Sequence, residues 1–70
     1  MSDFRKFQIR EELEGWAVVY HDDVRGLLWA QDLIHLSEES ASGWADYYEK
    51  HPSKAGVKNE DNWILVGKNR

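Results

Sequence analysis

The chain contains no cysteine, which excludes a disulfide framework and any thiolate metal site. Small secreted domains are commonly stapled by disulfides, so the absence points to a cytoplasmic setting. Proline occurs once, as Pro52, so only one position can break a helix by ring chemistry alone. Long apolar runs are missing. The longest, Trp16-Ala17-Val18-Val19-Tyr20, falls far short of the roughly 20 residues that span a bilayer. Residues Met1 to Lys6 form no apolar segment of the kind a secretion signal needs, and no membrane partner is expected. Gly26, Gly43, Gly56 and Gly67 stand alone, so no glycine-rich loop is available to cradle a phosphate. No Gly-x-Ser-x-Gly elbow surrounds Ser37, Ser40 or Ser42, and none of these serines has an evident histidine partner in sequence.

What the chain does have is aromatic mass. Its 70 residues include four Trp, three Tyr and two Phe, and each large ring can bury about 150–250 Å². That supply suits one small domain spanning 1–70, of a size that buries only about 60% of its unfolded surface. The formal charge of −4 is unevenly spread. Residues 15–49 hold seven carboxylates against Arg25, a sum of −6, whereas residues 50–70 hold five cations against two carboxylates, a sum of +3. Duplex binding relies on Lys and Arg to neutralise phosphates, so direct nucleic-acid binding is not expected. Base stacking is disfavoured for the same reason, because Trp16, Trp29, Trp44, Tyr47 and Tyr48 all fall in the acidic part.

One stretch carries both start and stop signals for a helix. Ser37 can accept a hydrogen bond from a free backbone N–H at a helix start, and Glu38 and Glu39 place negative charge at the positive end of the dipole. Ala41, Trp44, Ala45 and Tyr48 recur at helical spacing, and Pro52 disfavours helical backbone at His51. The spacing predicts a helix over 38–51. Trp44 is its expected keystone against the rest of the fold, Leu36 is the staple near Ala41, and Glu39, Gly43, Asp46 and Lys50 face outward. Gly43 costs about 0.8–1 kcal/mol in a helix interior. It reads either as a point of close backbone approach or as a sign that the helix starts later, at Ser42.

Strands are expected over Phe4–Glu11, Trp16–His21, Leu27–Gln31 and Trp63–Val66, with the third open to a helical reading. The last lacks polar alternation, as if both its faces were covered. The predicted fold is α+β: an antiparallel sheet of three or four strands with one amphipathic helix on one face, in the order β-β-β-α-β. The polar stretch 53–62 reads as a mobile loop, and 67–70 as a frayed tail.

His21, His35 and His51 lie too far apart in sequence for a helical ligand pair. His21-Asp22-Asp23 offers at most two ligands on one side of an extended chain, so it reads as a polar hairpin tip; no metal and no cofactor is expected. Two functions from different classes remain. The first is a noncatalytic interaction module that docks an acidic, aromatic-bearing surface on a protein partner with a basic surface. It would use Asp22, Asp23, Trp29, Glu39, Asp46 and Tyr47. The second is a small anionic-ligand binder, possible as a homo-oligomer, with Lys54 and Lys58 closing over the ligand from the 53–62 loop.

Overall fold

A computed structural model describes residues 5–57 and 61–68. Strands β1 (Phe7–Glu12), β2 (Gly15–Asp22) and β3 (Leu27–His35) run consecutively into helix α1 (Glu38–Lys50). A short 3₁₀ turn (Pro52–Lys54) follows, and β4 (Trp63–Lys68) completes the fold. The four strands form one sheet in the order β1-β2-β3-β4, with every neighbouring pair antiparallel. This is the predicted α+β arrangement, and β3 is a strand along its whole length.

The register sorts the strand residues between two faces, because alternate side chains point opposite ways. Phe7 pairs with Tyr20 and Ile9 with Val18; Tyr20 pairs with Trp29; Trp29 pairs with Leu65 and Gln31 with Trp63. These residues share the face that α1 covers. There Phe7, Val18, Ala45, Tyr48, Ala55 and Trp63 form one buried cluster, flanked by Ile9, Tyr20, Trp29 and Val57. The opposite face carries Ala17, Val19 and Ala30, which are also buried. They are small and sit among longer neighbours in register: Gln8, Arg10, Ile34 and Ile64.

Helix α1 begins as its sequence signals require. Ser37 has extended backbone (φ −136°, ψ 154°) and its hydroxyl oxygen accepts the Ser40 N–H at 3.1 Å. The start at Ser42 is therefore not used. Ser37→Ala should cost about 0.5–2 kcal/mol while Ser42→Ala costs far less; urea melts of the two variants that came out equal would contradict this cap. Ala41, Ala45 and Tyr48 are the buried positions of the helix.

Several expectations are corrected. Trp44 is not the keystone: it is 46% exposed, whereas Trp63 is 1% exposed and sits in the buried cluster. Helical geometry explains the exchange. Ala41, Ala45 and Tyr48 centre the inward stripe, and Trp44 lies about 60° to one side of it. Leu36 is no staple, being 91% exposed. The faces of β4 are not both covered, because Ile64, Leu65 and Val66 are about half exposed. Asp46, on the outward face as expected, forms an ion pair with Arg5 at 2.6 Å. The stretch after Pro52 is not structureless at its start: the 3₁₀ turn leads to a buried Ala55, whose carbonyl accepts the Trp63 indole N–H at 2.9 Å. Residues 67 and 68 extend β4 rather than fraying, β1 starts at Phe7 with Arg5 and Lys6 outside it, and Phe4, residues 58–60 and residues 69–70 lie outside the described part.

Candidate functional site

The outward flank of α1 gathers the features that point to binding. Glu39, Gly43 and Tyr47 are spaced i, i+4, i+8 and so form one row along the helix. Ser40 and Trp44 form the adjacent row. A side chain is missing from the middle of the first row, because residue 43 is glycine. The result is a shallow depression of about 520 Å³ lined by Glu39, Ser40, Gly43, Trp44 and Tyr47. Among the described residues a β-carbon built on Gly43 would meet nothing within 4 Å, so close approach of another described segment does not explain the glycine.

The rings on this flank brace one another. Trp44 and Tyr47 meet nearly edge to face, with centroids 5.7 Å apart and planes at 85°. Trp44 also lies 5.7 Å from Tyr48, and Tyr47 lies 5.1 Å from His51. Tyr48 is buried and its hydroxyl accepts a hydrogen bond from Gln31 at 3.2 Å. The half-exposed pair therefore rests on a fixed inner ring, and little side-chain entropy is left to lose on binding.

The six residues expected to bind a protein do not form one surface. Glu39 and Tyr47 share the depression. Asp46 is on the helix but its carboxylate is engaged by Arg5. Asp22 and Asp23 sit at the far end of β2, where the Asp22 carboxylate accepts the Arg25 N–H at 3.2 Å and its carbonyl accepts the Gly26 N–H at 2.7 Å. Gly26 has φ +70° there, the left-handed backbone that this tight turn requires. Asp22 thus serves turn geometry. Trp29 lies on the covered face of the sheet, partly buried against the core.

Sequence reasoning placed Trp44 in the core and so missed it as a site residue. The available signal was its neighbour Gly43, which leaves a flanking ring uncovered.

The alternative site is only partly described. Lys54 lines a second depression, of about 470 Å³, with Gln31, Asp32, Tyr48 and Asn62 among its walls. Lys58 lies outside the described residues. Asp32 places a carboxylate in the same wall as Lys54, which weakens the pull on an anion.

A serine–histidine contact absent from the sequence reading also appears. His35 Nδ1 lies 3.3 Å from Ser40 Oγ. His35 is buried, and its Nε2 is also buried with no partner among the described residues. A serine–histidine–acid relay needs the second ring nitrogen held by a carboxylate, so this contact serves to tie the end of β3 to the first turn of α1. Among the described residues no three His, Asp or Glu side chains converge as metal ligands, and no helix there is long and apolar enough to cross a membrane.

Comparison with protein families, with curated proteins and with solved structures finds no match for this chain.

Proposed function

We propose that the chain is a noncatalytic interaction module that docks the outward flank of α1 on a larger protein with a basic surface, modulating or inhibiting it. The observation that carries this reading is the depression at Gly43, walled by two half-exposed rings and a carboxylate. Trp and Tyr are enriched among the residues that dominate interface energetics, typically where they flank a pocket. Glu39 supplies the charge, within a segment summing to −6. The anionic-ligand reading ranks second, because Lys54 shares its depression with Asp32.

Gly43→Ala separates stability from binding. The new methyl group meets open space, and alanine is about 0.8–1 kcal/mol better than glycine inside a helix. The variant should melt higher yet bind less well, since the methyl group intrudes on the floor of the depression. Capture of partners from host lysate by wild type, by Gly43→Ala and by the double variant Trp44→Ser/Tyr47→Ser tests the site. Equal capture by all three would defeat the proposal. With a captured partner in hand, association should slow as salt rises, because screening shortens electrostatic reach to about 8 Å at physiological strength. Glu39→Lys should slow it further, with dissociation changing less. Glu39 is preferred to Asp46 for this reversal, because changing Asp46 would also break its pair with Arg5.

A further inference from the structure

The carboxylates of α1 are not equivalent. Asp46 is engaged by Arg5 at 2.6 Å, and the Glu49 carboxylate accepts the Phe7 N–H at 3.0 Å. Both tie the helix to the start of β1. Glu38 and Glu39, in the first turn, are exposed and make no hydrogen bond or ion pair among the described residues. Of these two, only Glu39 borders the depression at Gly43.

The cations are already placed elsewhere. Arg5, Arg10 and Arg25 each face a carboxylate of their own chain, on Asp46, Glu12 and Asp22 respectively. Lys54 borders the other depression, beside Asp32. Among the described residues no Lys or Arg lines the depression at Gly43. The helix thus offers a carboxylate and two rings there, with no positive charge of its own set against them.

Geometry narrows the class of cation that fits. At a rise of 1.5 Å per residue, Gly43 lies about 6 Å along the axis from Glu39, and Tyr47 about 6 Å further. A group seated over Gly43 is therefore within reach of the Glu39 carboxylate on one side and of Tyr47 on the other. Trp44 stands beside it on the neighbouring row. The depression is shallow and one missing side chain wide, so it suits a flat group. A guanidinium is planar, pairs with a carboxylate through two parallel N–H bonds and stacks on aromatic rings. A lysine ammonium is a compact, strongly hydrated charge without such a face.

We propose that the depression receives an arginine side chain of the protein partner, its guanidinium held by Glu39 and stacked against the Trp44–Tyr47 pair. This rests on the docking reading above and adds the chemistry of its central contact. It also accounts for Gly43, because a side chain there would take the space over which the guanidinium lies. Contacts of Trp44 with Tyr48 and of Tyr47 with His51 set the rings before the arginine arrives, so little ordering is needed.

Capped tripeptides carrying arginine, lysine or citrulline between glycines test this, by NMR on isotope-labelled protein at constant ionic strength. The arginine peptide should shift the Gly43, Trp44 and Tyr47 amides saturably and bind more tightly than the lysine peptide. Citrulline, the same shape without the charge, should leave them unmoved. Glu39→Gln should abolish the preference for arginine over lysine. Trp44→Leu should weaken arginine by about two- to fivefold, the worth of an exposed cation–ring contact. Equal binding of lysine and arginine overturns the proposal, since charge alone then suffices. Absence of any shift overturns it too, and so does a saturable arginine shift that leaves Gly43 and Trp44 unmoved. Should either variant fail to fold, the three peptides on wild type decide. The docking reading is judged separately, by whether wild type, Gly43→Ala and Trp44→Ser/Tyr47→Ser capture partners equally.

Discussion

Gly15→Ala is expected to destabilise the domain by about 3–5 kcal/mol. A β-carbon at Gly15 would lie 2.2 Å from the His35 carbonyl oxygen and 3.0 Å from Ile34 Cγ2. The first obstacle is backbone, held in register by the pairing of Trp16 with His35, so it cannot step aside as a flexible side chain would. Gly15 also has φ +157°, and forcing a side chain onto sparsely populated backbone costs about 1–3 kcal/mol. Overpacking adds about 1–3 kcal/mol. At roughly 0.05–0.15 kcal/mol per residue, the whole domain has only about 3.5–10 kcal/mol to lose. Gly26→Ala is the control: its backbone is left-handed (φ +70°) but nothing lies within 4 Å of the added carbon, so only about 1–2 kcal/mol is lost. Urea unfolding of both variants checks the contrast. If Gly15→Ala unfolds at or above the midpoint of Gly26→Ala, the close approach of β2 to the end of β3 is wrongly described.

Trp63→Ala should cost about 3–5 kcal/mol, as truncation of a fully buried ring does. Trp63 is 1% exposed, with Phe7 and Tyr48 at ring-centroid distances of 6.3 and 6.4 Å. Its indole N–H satisfies the Ala55 carbonyl at 2.9 Å, so truncation also orphans a buried acceptor, a loss of about 1–3 kcal/mol in its own right. Trp63→Phe should cost less than Trp63→Ala, because it keeps one aromatic ring while losing the donor and part of the buried volume. Trp44→Ala, at a half-exposed site, should cost only about 1–2 kcal/mol, roughly half the effect of burying a large apolar side chain. Thermal melts rank the three. A larger loss at residue 44 than at residue 63 would restore Trp44 to the centre of the core.

Much of this fold was legible because local signals were strong. Ser37, Glu38, Glu39 and Pro52 bracket a helix by capping, dipole and ring chemistry, all of which act over one turn. The β-branched and aromatic run from Trp16 is a strand on composition alone. What was not legible depends on geometry between elements. Trp44 and Trp63 are chemically identical choices for the core, and only the helix phase and the β3–β4 register decide between them. The length of β3 was hidden by an irregularity: Val19 pairs with Ala30 but Ala17 with Ile34. Extra residues are thus inserted and the apolar alternation is interrupted at Asp32. The Ser40–His35 contact and the Glu49 cap on Phe7 join residues whose proximity no spacing rule encodes. Of the candidate site, Glu39 and Gly43 were legible from outward helical phase, whereas Tyr47 falls on the flank, where phase alone does not decide exposure. Asp22 looked like surface charge yet serves a turn, because a carboxylate can bond the local backbone as readily as a partner.

The position of Trp63 in the last strand has a consequence for how the chain is made. A polypeptide leaves the ribosome from its N-terminus, and earlier parts fold as they emerge. The three-strand meander and α1 can assemble in that order, but the ring that fills their centre follows all of them in the chain. Until it arrives, Phe7, Val18 and Tyr48 surround an unfilled gap, so nascent chains stalled before residue 63 should be protease-sensitive and those released beyond residue 68 resistant. Emergence of β4, rather than formation of the helix, is then the step that commits this domain to its native state.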